Sequence, residues 1–116
     1  MADDLDYAAE RLWQAGRNLP DVERSTSYGT PALKVRKKLM ARVKDADTVV
    51  LACAPEEKKL LKEAAPDIYF ETPHYHGYPL VLARIRVISD AELANRLKVA
   101  WRMQAPVRLQ KSVTLS

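Results

Sequence analysis

Both histidines of the chain, His74 and His76, lie within the segment Thr72-Pro73-His74-Tyr75-His76-Gly77-Tyr78-Pro79. Imidazole can move a proton, ligate a metal or donate to an anion. Phenol rings add hydroxyl donors and flat faces that stack. A His-x-His pair supplies only two metal ligands, and Cys53 or Glu71 would have to complete the shell, so no metal is expected. Nucleophilic catalysis needs a hydroxyl or thiol beside a base. No spacing ties Ser25, Ser27 or Thr30 to a histidine. Cys53 ends the apolar run Thr48–Cys53, which marks it as inert core. The sequence has no Gly-x-Ser-x-Gly elbow, Walker loop or dinucleotide fingerprint. The expectation is a protein that is not an enzyme, with no catalytic residue, metal or cofactor.

The second chemistry-bearing group is basic. Residues 25–44 hold Lys34, Arg36, Lys37, Lys38, Arg42 and Lys44 and no acid. Three of the six cluster where a hairpin would turn. A basic hairpin can act as a wing that neutralises phosphates, and a two-stranded ribbon can enter the major groove of double-stranded DNA. The competing reading is plainer: Lys and Arg solvate an exposed sheet face and blunt an edge. The loop has two readings as well. Its prolines and Gly77 can pin it with the tyrosines packed on a sheet. Alternatively, His74, Tyr75, His76 and Tyr78 form a second wing, or a ligand groove shared with Tyr28 and Thr30. A concave pocket at those residues would favour a small-ligand or protein-binding module; a protruding basic ridge would favour DNA. Arg96, Lys98 and Arg102, with Arg108 and Lys111 beyond, make a weaker basic footprint on a helix whose outer face is also expected to be solvated.

The elements that must position these groups follow from the patterning. A chain of 116 residues is one domain. No apolar run approaches the ~20 residues of a bilayer span, and the acidic start Met1-Ala2-Asp3-Asp4 is unlike a signal peptide. Without such a span no membrane partner is expected, and one cysteine, which makes no internal disulfide, leads to the expectation of a reduced cytoplasmic setting. Leu5, Ala8, Ala9, Leu12, Ala15, Gly16 and Leu19 recur at helical spacing and predict a helix over residues 4–18. Period-two alternation predicts strands over 32–36 and 39–44, and the apolar run 48–53 predicts a central strand. Residues 22–27 are a candidate edge strand. Pro55, Glu56 and Glu57 open a second helix, with Leu60, Leu61, Ala64 and Ala65 as its inner stripe. Residues 80–87 alternate as a further strand. Ser89-Asp90-Ala91-Glu92 fits a capping box, opening a helix with Leu93, Leu97, Ala100 and Trp101 inward. Residues 110–116 are expected to be a short, basic, flexible tail after a domain spanning 1–109. Strands with segregated helices make this α+β, with a mostly antiparallel sheet and about three helices.

Two segments, Ser27-Tyr28-Gly29-Thr30-Pro31-Ala32-Leu33-Lys34-Val35-Arg36 and Thr72–Pro79, share a Thr-Pro step near a Tyr-Gly or Gly-Tyr pair. With Leu19-Pro20-Asp21-Val22-Glu23, Pro55-Glu56-Glu57, Ala100-Trp101-Arg102, Ala105-Pro106 and Leu109, they resemble the MmcQ/YjbR-like family of small bacterial proteins. The resemblance runs from about Leu5 to Leu109. Members of that family resemble double-wing DNA-binding domains, which implies the same α+β architecture and double-stranded DNA as partner. Many members have a glycine at the hairpin tip, where this chain has Lys37.

Overall fold

Six strands form one antiparallel sheet in the order β1-β2-β3-β4-β6-β5. The computed structural model describes residues 5–113. In chain order the elements are α1 (Leu5–Gly16), β1 (Val22–Ser27), β2 (Thr30–Val35), β3 (Lys38–Asp45), β4 (Thr48–Ala52), α2 (Pro55–Ala64), β5 (Tyr69–Phe70), a 3-10 turn (Pro73–Tyr75), β6 (Leu80–Arg84), α3 (Asp90–Gln104) and α4 (Val107–Lys111). The α+β class, antiparallel sheet and central place of β4 match the sequence reading. The edge strand at 22–27 is present as β1.

The first three strands are joined by two tight turns of one kind. Tyr28 and Gly29 have φ of 54° and 80°, and Arg36 and Lys37 have φ of 49° and 72°. Two consecutive positive-φ residues between paired strands suit the right-handed twist of a hairpin. The registers Ser27↔Thr30 and Val35↔Lys38 close these turns.

The sheet has two unlike faces. Leu33, Val35, Ala41, Val43, Val49, Leu51, Val81 and Ala83 are buried in the main core with Ala8 and Leu12 of α1 and Leu93, Leu97, Ala100 and Trp101 of α3. Met40 and Ala41 are adjacent, yet both join this core, because the β2–β3 register shifts at Leu33/Lys34. At the end of α1, a Cβ on Gly16 would lie 3.0 Å from Leu33 Cδ1 and 3.1 Å from Leu97 Cδ1. Glycine lets the helix, the sheet and α3 meet there. The opposite face is covered only in part, where Tyr75 packs on Val50 and Leu82.

Helix α3 starts as its sequence predicts, with Ser89 Oγ accepting from the Glu92 N–H at 3.1 Å. The Glu92 carboxylate instead accepts from the Tyr69 hydroxyl, so only half of the capping box is used. Trp101 Nε1 donates to the Pro20 carbonyl at 2.8 Å, tying α3 to the α1–β1 connection.

Three expectations are corrected, and one strand is added. Leu60 of α2 is 63% exposed and Ala64 is exposed, whereas Lys58 is buried. The helix presents Lys58 and the half-buried Leu61 inward because the ammonium finds acceptors there. Strand β6 stops at Arg84 rather than 87, because the Val87 and Ile88 N–H groups both turn back to the Arg84 carbonyl. The two-residue β5 pairs with β6 and has too little sequence to show a period. Residues 107–111 are helical, with Leu109 buried and Gln110 Nε2 donating to the Ala105 and Arg102 carbonyls at 2.8 and 2.9 Å. The expected tail therefore begins inside α4, and its residues 114–116, like the acidic start at 1–4, lie outside the described residues.

Candidate functional site

Arg42 stands on β3 between Ala32 of β2 and Val50 of β4, on the sheet face away from α1 and α3. It is half-buried. Its Nη1 donates to Thr30 Oγ1 at 3.3 Å and to the Val43 carbonyl at 3.4 Å, and its Nη2 donates to the Tyr75 hydroxyl. Its guanidinium carbon lies 5.3 Å from the centre of the Tyr28 ring, a cation–π contact. Thr30 is held in turn by donating to the Ser27 carbonyl at 3.0 Å.

The other wall is the loop 72–79. Pro73–Tyr75 form one 3-10 turn, and Gly77 supplies the positive φ of 86° needed to reach β6. Tyr75 is buried against the sheet, and the His74 ring meets it edge-on at 4.9 Å. Beneath the loop, Lys58 Nζ donates to the carbonyls of Tyr75 at 3.2 Å and Tyr78 at 2.8 Å, and lies 2.9 Å from Glu71 Oε2. Lys62 pairs with the other Glu71 oxygen. Hydrogen bonds from Lys62 and Lys58 hold the Glu71 carboxyl down at about 2. Two fixed charges and two carbonyls thus anchor the loop to α2.

Between the walls lies a groove of ≈ 550 Å³, lined by Tyr28, Leu39, Arg42, His74, Tyr75, Tyr78 and Leu80. Tyr28 is 90% and Tyr78 58% exposed, so both rings stand at its rim. Among the described residues, no carboxylate lines it. Among the described residues, Arg42 has no carboxylate partner, unlike Arg11, Arg24, Arg36, Arg86 and Arg96.

The structure brings Tyr28, Thr30, Arg42, His74, Tyr75 and Tyr78 together. His76 points elsewhere, with Nδ1 3.8 Å from Glu71 Oε2, and lines a separate concavity with Thr72 and Pro73. The basic side chains of the hairpin differ in their surroundings. Arg36 at its tip pairs with Asp21 at 2.6 Å, and Lys44 lies 3.8 Å from Asp45. Lys34 sits across from Glu23 on β1. Lys37 and Lys38 remain exposed at the tip. With β1 starting level with Val35, the tip stands one two-residue turn beyond that pair.

Lys58, Leu39 and Leu80 were not singled out in the sequence, and Glu71 only as a metal ligand that would be needed, not as an anchor of the loop. Lys58 falls on a helix whose apolar residues draw the eye to Leu60 instead. Cys53 is buried, and burial, then the nearby Glu57 charge, pushes its thiol pKa up. Arg96 is buried and pairs with Glu57 at 2.8 Å, so it is not part of an outward basic face. Among the described residues, no three His, Cys, Asp or Glu side chains gather, and no helix is long and apolar enough to cross a membrane.

The family model for YjbR matches residues 17–103, a span that holds the whole sheet, α2 and every groove residue. Uncharacterized protein Rv2570 of Mycobacterium tuberculosis is 34% identical over 102 residues, covering 84% of this chain and 74% of that protein. Uncharacterized protein Mb2600 of Mycobacterium bovis matches with the same identity and coverage. No solved structure matches the chain.

Proposed function

The chain belongs to the YjbR family, and we propose that it is a non-catalytic binding domain whose groove receives an anionic ligand with a flat ring. The observation that carries this is Arg42. A half-buried guanidinium among tyrosines and leucines, with no acid beside it, is compensated best by a negative group brought in from outside. The exposed Tyr28 and Tyr78 rings flank that charge and offer faces to an aromatic body. The site has anion donors and stacking surfaces but no nucleophile paired with a base, which supports binding rather than catalysis.

The test is a backbone and arginine-side-chain NMR titration with a panel of aromatic anions: benzoate, indole-3-carboxylate, phenyl phosphate and AMP. Shifts confined to Tyr28, Arg42 and residues 74–80 are expected from at least one compound. Arg42→Gln should weaken that binding about 10–100-fold, the value of a charge-assisted contact. Silence from the whole panel would overturn the reading.

Double-stranded DNA is the second reading, favoured by Lys37 and Lys38, which are exposed at the hairpin tip without an ion-pair partner among the described residues. It expects duplex binding that falls steeply between two salt concentrations and weakens on charge reversal of both lysines. Unchanged affinity in that double variant would remove the wing assignment.

A further inference from the structure

We infer that the groove ligand is a nucleoside 5′-monophosphate, free or at the 5′ end of a strand. This rests on the groove reading above and adds the ligand's chemical class.

The donors at the floor select the anion. A guanidinium carries five N–H groups. Both Nη1 contacts and one Nη2 contact of Arg42 go to the protein, which leaves Nε–H and one Nη2–H without an acceptor among the described residues. Nε and Nη2 form one edge of the guanidinium, the geometry that grips two oxygens of an anion side by side. The Tyr75 oxygen accepts from Arg42, which leaves its own hydrogen for another acceptor. A carboxylate would fill the guanidinium fork with both of its oxygens. A phosphomonoester brings a third terminal oxygen, which the Tyr75 hydroxyl can reach from its fixed place beside the guanidinium.

The rim selects the rest of the molecule. Tyr28 occupies a turn position with φ of 54°, a conformation that glycine, asparagine or aspartate normally supply in such turns. A bulky side chain held there against its preference points to a use for the ring. That ring is 90% exposed, with one face toward Arg42 and the other open. Tyr78 rises on the opposite wall. Two exposed rings beside a phosphate-gripping arginine are the arrangement in which a base stacks while its phosphate is held. A volume of ≈ 550 Å³ lies within the usual range for small-molecule sites.

The experiment is calorimetric titration of the full chain with AMP, adenosine, inorganic phosphate, indole-3-carboxylate, and a single-stranded pentanucleotide with and without a 5′-phosphate. AMP binding at least tenfold tighter than adenosine and phosphate supports the inference with a free nucleotide as source. Binding by the phosphorylated pentamer alone supports it with a strand end as source. Tyr28→Ala, at an exposed site that leaves the core intact, should lower AMP affinity while the melting temperature falls by no more than the few degrees that an exposed cation–π contact is worth. Arg42→Lys keeps the charge, loses the fork and should also weaken AMP. Indole-3-carboxylate binding as tightly as AMP would overturn the phosphate assignment while leaving the groove reading in place. Equal binding of the two pentamers, with no binding of AMP, would overturn it too. Failure of every ligand would remove both readings.

Discussion

The ammonium of Lys58 donates to the main-chain carbonyl of Tyr78 at 2.8 Å, so a side chain of α2 fixes the backbone of the groove's far wall. The same ammonium reaches the Tyr75 carbonyl and Glu71. Replacing it by the isosteric Lys58→Met would leave buried acceptors without a donor. The expected loss is about 2–3 kcal/mol of stability, read by urea denaturation, with faster amide exchange confined to residues 72–80. A variant as stable as the parent would show that the anchor contributes nothing net.

Glu71 links that anchor to pH. Its carboxyl is held at about 2, below the ordinary 4.5, by hydrogen bonds from Lys62 and Lys58. A depressed folded-state value means stability fully present above 4.5 and lost as pH falls from there toward about 2. Glu71→Gln should therefore melt below the parent at neutral pH. The gap should close as pH falls through that window, measured by thermal melts at steps between pH 6 and pH 2. A constant gap would mean that the ionised form is not what stabilises the loop.

The tip of the β2–β3 hairpin gives a backbone prediction. Lys37 holds φ of 72°. A left-handed conformation costs an L-residue about 1 kcal/mol that glycine avoids. Lys37→Gly and Lys37→Ala remove the same charge, so their difference isolates the backbone. The glycine variant should be more stable by about 1 kcal/mol in urea denaturation.

Cys53 should be silent as a nucleophile. It is buried, and burial raises its thiol above the ordinary value, so little thiolate exists at pH 8. Its reaction with a disulfide reagent should follow the rate of global opening and become fast only in denaturant. Stoichiometric labelling of the native protein within minutes would contradict that placement.

Much of this molecule was legible in its sequence, for identifiable reasons. Period-two alternation exposed β2 and β3, and the apolar run exposed β4 as central. The Ser89 cap and the Leu93, Leu97, Ala100 and Trp101 stripe placed α3. The groove was half legible, since two tyrosine-bearing turns mark both walls. Its charged floor was not. Arg42 reads as one more basic residue of a hairpin, and only the register sets it apart on the face opposite the helices. Lys58 was hidden because two of its partners are main-chain carbonyls 17 and 20 positions away, which leave no trace in residue types. Leu60 misled for the opposite reason: an apolar residue at helical spacing is not obliged to be inside.

The order in which strands enter the sheet has a kinetic consequence. β1 through β4 pair with their immediate neighbours in sequence, all three junctions being two-residue turns. Such pairings close short loops and form early. The Arg42–Tyr75 bond spans 33 positions, enclosing β4 and α2, and closes a far longer loop than any turn of the meander. The near half of the groove is thus laid down with the meander, and the far half arrives at the end of folding. Whatever binds there meets only finished molecules, and its effect on lifetime falls on the rate of unfolding rather than on the rate of folding.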